Sequence, residues 1–372
     1  MLLAILSTVC LGEGGNRQAF AQIVLSGMAP QALAPGKTTR VEFSGSGFKA
    51  PLRLGSTQPF QTQSSLNVQW GAIEATKAVA DITISESTPI GPIAIWLATE
   101  DGITEPLQVL IDDLVSIPDN NANHQKGTAQ TVTVPCAIDG KSDAAQSDFY
   151  KINLPEGGAV SIDCVAERLG SAMDSVIRIW DSQGNLLIQA DDSDTGPDSQ
   201  LRFQAKVAGE YIVEVVDNRY TGDGRYRLRI ADAPLAPVPY PLAIPLTLDP
   251  SNPASPANPP PSLQWILSDG TVLNSNNNPD GWRLEIPKSA LPVDRLVVGP
   301  SSPTKPGGFW SDVLVRNFPQ FIEPIDSQAF TGDLANPLAM PVGISGRLSK
   351  AGEVDSYVIA GTQGQRSEEH TS

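Results

Sequence analysis

Carboxylates crowd one short stretch of the chain, Asp191-Asp-Ser-Asp-Thr-Gly196. Its start is similar to a calcium-binding EF-hand loop, which needs further oxygen ligands and ends on a bidentate Glu. The third ligand is missing at its proper spacing, and Phe203 stands where the Glu is required. The Asp194-Thr-Gly196 triplet also has the form of an aspartic-protease motif, but no second equivalent copy occurs. The stretch therefore predicts a solvated loop.

Nucleophilic or zinc chemistry has few candidates. The chain has two histidines, and of these His124 lies in an Asn-rich loop that is poorly suited to a Ser/His/Asp triad. Ser44-Gly-Ser-Gly47 lacks the Gly-x-Ser-x-Gly pattern of a nucleophile elbow. No His/Cys spacing fits a zinc site. We therefore expect no catalytic constellation in these residues, and no enzyme activity from them.

Cys136 and Cys164 both fall on inward-facing strand positions by parity, and two interpretations stay open for them. Two cysteines in an exported protein permit a disulfide, which typically contributes roughly 2–4 kcal/mol. Free cysteines also pack as small buried hydrophobes. Three aromatic residues, Trp180, Tyr211 and Tyr226, raise the alternative of a carbohydrate platform. Their apolar neighbours favour packing in a core instead.

Bulk properties restrict the class of protein. The 372 residues include 32 Gly and 32 Pro at 40% hydrophobic content, which favours many short strands joined by turns over disorder. The formal net charge is -16. Such an acidic chain repels phosphate backbones, so we expect no nucleic-acid partner.

The two ends carry separate signals. Residues 1–12 form an apolar run, and Ala19-Phe-Ala21 is a small-x-small site, so residues 1–21 are predicted to be a secretory signal peptide. The mature protein is then secreted, periplasmic or on the cell surface, and no stretch is long enough to span a membrane. Residues 366–372 resemble the translation of a sequencing-library adapter, so we expect the natural protein to continue beyond Gln365.

Strand patterns divide the mature chain into all-β modules, predicted as tandem β-sandwiches. Residues 22–117 contain regular short strands with few helix signals, which favours an immunoglobulin-like sandwich. Residues 118–232 contain about eight strand candidates, which favours a jelly-roll sandwich. Residues 233–322 are predicted as a Pro-rich linker followed by an irregular β module. Residues 323–372 are predicted as a truncated repeat of the second module.

The repeat rests on two matched segments. Val134-Pro-Cys-Ala-Ile-Asp-Gly-Lys141 matches Met340-Pro-Val-Gly-Ile-Ser-Gly-Arg347. Asp148-Phe-Tyr-Lys-Ile152 matches Asp355-Ser-Tyr-Val-Ile359. Repeats of this size indicate a modular array.

The repeated pattern resembles the bacterial pre-peptidase C-terminal (PPC) domain. The motifs that carry the resemblance lie at 135–140, 148–150, 168–171, 191–192, 209–211 and 226–230. They cover about residues 119–230, with a partial copy at 323–365. The arrangement also looks like large secreted proteins of Planctomycetes-type bacteria. The resemblance implies a β-sandwich that supports adhesion, secretion or substrate contact.

Some members of this family bind calcium, and the resemblance implies which residues would do so here. Calcium-binding relatives use an acidic opening together with the Asp before the aromatic strand. The predicted ligands are Asp119, Asn120 and Asp148 in the first copy, and Glu323, Asp326 and Asp355 in the second. Calcium needs six to eight oxygens, so these side chains would form part of a shell. The alternative is that Asp119-Asn-Asn121 forms a turn and Asp148 caps a strand.

Two functional hypotheses follow. In the first, the chain is an exported non-catalytic protein whose modules contact extracellular proteins or polysaccharides, with calcium as a stabilising ion. In the second, it is the accessory region of a secreted hydrolase or peptidase whose catalytic domain lies outside these residues. The complete open reading frame distinguishes them, because a downstream catalytic motif favours only the second.

Overall fold

The computed structural model describes most of the chain from residue 23 onwards. In the first two modules it describes residues 23–57, 66–88, 90–143, 146–193, 196–220 and 222–233. Beyond them it describes residue 235, residues 238–245, four short strands between 264 and 300, and residues 307–362, except 309, 317 and 325–328, together with 364. The predicted signal peptide, Asp194, Asp326 and residues 366–372 lie outside these ranges. The all-β prediction is confirmed, and the helical turns of the described part are two 3-10 helices, Lys126–Thr128 and Glu167–Leu169.

The first module is a two-sheet sandwich. One sheet has the order β1-β3-β6-β5 and the other the order β2-β9-β7-β4, with β8 beside β7. Alternating residues of both sheets, among them Val41, Phe43, Ile82 and Leu97, fill the core between them. The strands are β1 (Val24–Ala29), β2 (Ala32–Leu33), β3 (Thr38–Ser46), β4 (Arg53–Ser56), β5 (Leu66–Ile73), β6 (Lys77–Ile84), β7 (Gly91–Thr99), β8 (Gly102–Ile103) and β9 (Leu107–Ile111).

The second module is a sandwich of two five-stranded sheets. The inner sheet, which faces the first module, has the order β10-β12-β19-β14-β17, and the outer sheet has the order β11-β13-β18-β15-β16. Its strands are β10 (Ser116–Pro118), β11 (Gln130–Thr131), β12 (Cys136–Lys141), β13 (Asp148–Leu154), β14 (Ala159–Val165), β15 (Ser175–Trp180), β16 (Leu186–Ala190), β17 (Gln200–Gln204), β18 (Gly209–Asp217) and β19 (Arg225–Ala231). Because β10 pairs with β12, this sandwich begins two residues before the predicted boundary at 117/118.

Shorter strands follow. β20 (Val238–Tyr240), β22 (Gln264–Ile266) and β23 (Val272–Leu273) form one sheet, and β21 (Ala243–Pro245), β26 (Ser311–Arg316), β25 (Arg295–Pro300) and β24 (Trp282–Arg283) form another. In the predicted second copy, β27 (Gln320–Ile322) pairs with β29 (Gly343–Ser345), and β28 (Leu338–Ala339) pairs with β30 (Ile359–Ala360). No helix in the described ranges is long and apolar enough to cross a membrane.

A buried ionic cluster joins the first two modules. Asp112, which follows β9, is 1% exposed and accepts hydrogen bonds from Arg227 Nε at 2.8 Å and Arg229 Nε at 3.0 Å, both from β19. Arg227 also donates to Asp139 on β12 at 2.7 Å. The Gln31 backbone N–H, from the first module, donates to the other oxygen of Asp139 at 3.1 Å. Charges of both signs therefore satisfy one another across the boundary.

Trp310 belongs to the third region, residues 233–322, and covers the same cluster. Its ring lies 4.9 Å from the guanidinium carbon of Arg229 and 5.3 Å from that of Arg168, and it is 3% exposed. It packs with Leu110 of the first module and Leu169 of the second. The outer face of the inner sheet is therefore an internal interface.

Candidate functional site

A groove opens where the two sheets of the second module end side by side. β16 and β17 are the edge strands of the outer and the inner sheet, on the same side of the sandwich. The groove between them has a volume of about 410 Å³. It lies where β15 ends and β16 and β18 begin, away from the Arg225 end of β19 that contacts the first module. The lining residues are Asp181, Ser182, Gln183, Leu187, Phe203, Gln204, Lys206, Val207, Ala208, Gly209, Glu210 and Tyr211.

The floor of the groove is apolar. The rings of Phe203 and Tyr211 meet edge to face, with centroids 5.0 Å apart. The Tyr211 hydroxyl donates to the Val207 carbonyl oxygen at 2.6 Å, which fixes the turn before β18. Leu187 and Val207 are 44% and 68% exposed. Contiguous exposed apolar side chains of this kind mark a binding surface more often than isolated ones do.

The rim of the groove is charged. The Asp181 carboxylate accepts hydrogen bonds from the backbone N–H groups of Gln183 and Asn185 and from the Asn185 side chain, which lowers its pKa. Glu210 lies 3.3 Å from Lys151 Nζ. No His or Cys lines the groove, and the Ser182 hydroxyl accepts from Gln183 Nε2 at 2.9 Å. The arrangement fits binding of an apolar ligand.

A second polar site, the tyrosine–carboxylate cluster, occupies the start of β13. The hydroxyls of Tyr150 and Tyr226 lie 2.5 Å apart. Tyr150 donates to Asp119 at 3.1 Å, and Tyr226 donates to Asp148 at 2.6 Å. His124 Nδ1 lies 3.1 Å from the other Asp148 oxygen. Burial raises the pKa of Asp148 to about 6, although the Tyr226 hydrogen bond opposes this.

The structure brings together only part of the first predicted calcium set. Asp119 and Asp148 flank the two tyrosine hydroxyls, whereas Asn120 is exposed and its Oδ1 accepts from the Ala122 backbone N–H at 2.9 Å. Asn123 Oδ1 is a buried oxygen without a hydrogen-bond donor, and the polar neighbour of Asp148 Oδ1 is His124 Nδ1 at 3.1 Å. A cation could satisfy such oxygens, so Asp119, Asn123 and Asp148 fit calcium by donor type. Within the described ranges, no three His, Cys, Asp or Glu side chains converge as a metal site would require.

The second predicted set is incomplete, because Asp326 lies outside the described residues. Glu323 is buried and accepts a hydrogen bond from the Tyr357 hydroxyl. Asp355 accepts from the Phe330 backbone N–H at 2.7 Å. Both carboxylates therefore hold their own module together, and calcium binding there stays a prediction.

Each predicted copy contains the same two backbone hydrogen bonds at matched positions. Asp119 N–H donates to Asp139 O at 3.0 Å, and Glu323 N–H donates to Ser345 O at 3.0 Å. Val132 N–H donates to Lys151 O at 3.0 Å, and Leu338 N–H donates to Val358 O at 2.8 Å in a separate but matching pair. The tyrosine of each matched segment donates to the opening carboxylate of its own copy. Asp148 and Asp355 thus begin segments with similar surroundings.

The predicted disulfide between Cys136 and Cys164 is wrong, because both thiols are free and buried. Cys136 on β12 faces Ile230, and Cys164 on β14 faces Leu228, so the whole of β19 lies between them. Two strand spacings are about 9–10 Å. A disulfide needs Cα atoms about 4.4–6.8 Å apart. Burial raises the pKa of Cys136 to about 12 and that of Cys164 well above its ordinary value.

The groove was not predicted from the sequence, although the pair Leu186-Leu187 indicates an exposed apolar surface. Leu186-Leu187 places large apolar side chains on both faces of a predicted strand, and only one face of an edge strand reaches the core. Both leucines are indeed exposed, at 47% and 44%. The core positions predicted for Tyr211 and Tyr226 are confirmed, at 7% and 0% exposed, whereas Trp180 is half-buried and lies outside the core cluster.

Known families and structures offer limited comparisons. Residues 146–217 match the family model of the bacterial pre-peptidase C-terminal domain. The pre-peptidase C-terminal domain of a Bacillus anthracis collagenase is 19% identical over 27% of this chain and 93% of its own, with a TM-score of 0.23. PliG from Aeromonas hydrophila, a periplasmic inhibitor of g-type lysozyme, is 14% identical over 28% and 96%, with a TM-score of 0.23. SGBP-B from Bacteroides ovatus, solved with a mixed-linkage heptasaccharide, is 10% identical over 54% and 72%, with a TM-score of 0.16. No curated protein matches the chain.

Proposed function

We propose that this chain is an exported, non-catalytic modular protein whose second sandwich contacts extracellular proteins or polysaccharides. The observation that carries the proposal is the groove between β16 and β17, which is apolar, open and free of a nucleophile–base pair among its lining residues. The face of the inner sheet that carries Arg227 and Arg229 is buried against the first module and Trp310, so it is closed to a partner. The family match over 146–217 supports the same role.

A retention assay tests the binding role. The full chain is run through native gels that contain mixed-linkage glucan, xylan or gelatin, beside a double variant, Leu187→Asp with Val207→Asp. The control is Ile103→Asp, because Ile103 is a similarly exposed apolar residue of the first module, at 66%. We expect at least one polymer to retard the wild type and the control but not the double variant. Equal mobility in all gels, or equal retardation of the double variant, contradicts the proposal.

Export has its own test. Expression of the full chain in a bacterial host, followed by N-terminal sequencing of the periplasmic or secreted product, is expected to give a chain that starts at Gln22. An uncleaved cytoplasmic product contradicts export by residues 1–21.

Calcium binding by the tyrosine–carboxylate cluster is a further part of the proposal. Asp119 and Asp148 would supply carboxylate oxygens, and the buried Asn123 Oδ1 would supply an amide oxygen. A ligand at about one hundred times its dissociation constant stabilises a fold by about 2.7 kcal/mol. Calcium should therefore raise the melting temperature of the wild type, relative to chelator, and leave Asp148→Asn unchanged. An identical wild-type transition in calcium and in chelator contradicts it.

The alternative is an accessory region of a secreted hydrolase or peptidase. The description of the matched family as a pre-peptidase domain favours this alternative. The complete open reading frame decides between the two. A catalytic motif encoded downstream supports the alternative, whereas further copies of the 118–232 module alone support the non-catalytic protein.

A further inference from the structure

We infer that the groove accepts an extended peptide as an added strand on β16, with a carboxylate of that peptide facing Lys206. The inference deepens the proposed binding function and rests on it. It names the class of partner, a polypeptide segment in β conformation that carries Asp or Glu among apolar residues.

The free edge of β16 selects an extended backbone. β16 pairs with β15 alone among the described strands, so every second residue directs its N–H and C=O groups outward. Edge strands are usually protected by charged residues or Pro. β16 has the sequence Leu186-Leu-Ile-Gln-Ala190 and contains neither. An unprotected edge beside an apolar groove is the arrangement by which β-strand addition binds peptides.

β17, on the other side of the groove, is protected. It pairs with β14 alone among the described strands, but Arg202 stands in its middle. The Arg202 guanidinium donates to Ser161 Oγ and to the Ala233 carbonyl oxygen, both at 2.9 Å, and so is held by its own module. β16 is therefore the edge that takes the added strand, and β17 is the opposite wall.

The charges of the rim select an acidic residue in the peptide. Asp181 is held by its own turn, and Glu210 faces Lys151. Lys206 is exposed and makes no ion pair within the described part of the chain. A carboxylate on the peptide complements this ammonium group. The net charge of -16 repels an acidic segment only at long range, because salt screens it beyond about 8–10 Å, so the contact with Lys206 decides the local charge preference.

Defined peptides test the inference on the full chain. The probe is acetyl-Thr-Val-Glu-Val-Thr-Val-Thr-amide, with a fluorophore for polarisation measurements. A second peptide carries Lys in place of Glu, and a third carries methyl groups on alternate backbone nitrogens. The protein variants are Lys206→Glu and, as a matched control, Lys37→Glu, since Lys37 is an exposed lysine of the first module. Amide exchange over residues 184–193 is followed by mass spectrometry.

The expected result has three parts. The Glu peptide binds wild type and Lys37→Glu, and it slows amide exchange over β16. Lys206→Glu weakens the Glu peptide by about fivefold, the upper end for an exposed ion pair, and reverses the preference between the Glu and Lys peptides. The methylated peptide neither binds nor protects β16, because it lacks the backbone donors that an added strand needs.

Three results overturn the inference. They are absence of binding up to about 1 mM Glu peptide, equal binding of the methylated peptide, and an unchanged charge preference in Lys206→Glu. If these occur while the Leu187→Asp/Val207→Asp variant still loses retention on a polymer, the proposed function survives and only the peptide inference falls. If no polymer retards the protein either, both fall.

Discussion

Asp112 is the residue on which the contact between the first two modules depends most. It is buried, and both of its oxygens accept hydrogen bonds from the guanidinium groups of Arg227 and Arg229. Burying a charge without partners is strongly unfavourable, so each member of the cluster needs the others. Removal of Asp112 leaves two fully buried arginines short of a counter-charge.

Asp112→Ala should therefore lower the free energy of unfolding by about 3–5 kcal/mol. Urea unfolding followed by tryptophan fluorescence measures this change. Asp101→Ala is the matched control, because Asp101 pairs with Lys49 at the surface and its loss should change stability by about 1 kcal/mol or less. Equal effects of the two substitutions would show that the buried cluster contributes no more than a surface pair.

Acid should weaken the same contact. Burial alone would raise the pKa of Asp112, but the guanidinium groups of Arg229 and Arg227 outweigh it and lower the pKa from 3.8 to about 2. Because the folded state keeps this carboxylate ionised, its contribution is complete above pH 3.8 and is lost as the pH falls towards 2. The contribution is about 2 kcal/mol. Urea unfolding from about pH 5 to about pH 2 should show a steeper loss for wild type than for Asp112→Asn, and parallel curves would contradict it.

Residue patterns predicted which side chains face the core better than they predicted which residues those side chains contact. Parity placed Cys136 and Cys164 in the core, where they are, but parity gives no information on the lateral order of strands. β19 lies between the two thiols, and it begins more than sixty residues after Cys164 in the sequence. In the same way, Asn120 was predicted as a ligand, yet a local turn uses its side chain.

At the scale of elements, β12 and β19 must approach closely across one glycine. A Cβ atom at Gly140 would overlap the Tyr226 ring. That ring belongs to the tyrosine–carboxylate cluster, which has no room to shift because its hydroxyl contacts both Tyr150 and Asp148. The matched segment of the second copy has Gly346 at the same position, and a Cβ there would overlap the Tyr357 hydroxyl.

Gly140→Ala is expected to destabilise the second module by about 1–3 kcal/mol, because an overpacked site must displace its neighbours. Gly209→Ala is the control, since Gly209 is also a strand residue but a Cβ there meets nothing within 4 Å. The control should change stability by no more than about 0.5 kcal/mol. Thermal melting of both variants measures the difference, and an equally stable Gly140→Ala protein would refute the close approach.

Strands with clear alternation were predictable, and short parallel ones were not. β14 and β19 alternate apolar and polar residues over five or more positions, which is the sequence signal of a strand. β10 and β11 have three and two residues and pair with β12 and β13 in parallel. Such short strands carry no periodicity, and only their partners define them.

On the scale of the whole molecule, two sandwiches and the third region pack around one cluster. Trp310 contacts the guanidinium groups of Arg168 and Arg229 while Leu110 and Leu169 pack beside it. The two arginines that alternate in β19, Arg227 and Arg229, are fully buried. Their partner Asp112 lies 115 and 117 residues away in sequence, and a separation of that size leaves no local pattern from which their burial could be predicted.

Trp310→Ala should destabilise the second module by about 3–5 kcal/mol, because it empties a buried aromatic site and exposes two arginines. Differential scanning calorimetry of the full chain measures this change. Leu334→Ala serves as the control, since Leu334 is 84% exposed and its loss should leave the transition in place. An unshifted transition in Trp310→Ala would mean that the third region lies on the sandwich without stabilising it.

The shared cluster also constrains how genes for such proteins can be reshuffled. A recombination breakpoint at residues 117/118 would separate Asp112 from Arg227 and Arg229, and the arginines would then meet a neighbour that lacks the acid. A transplanted second sandwich would need those arginines replaced, or would need to carry residues 108–117 with it. We therefore expect the first two modules to be inherited together, although each has its own hydrophobic core.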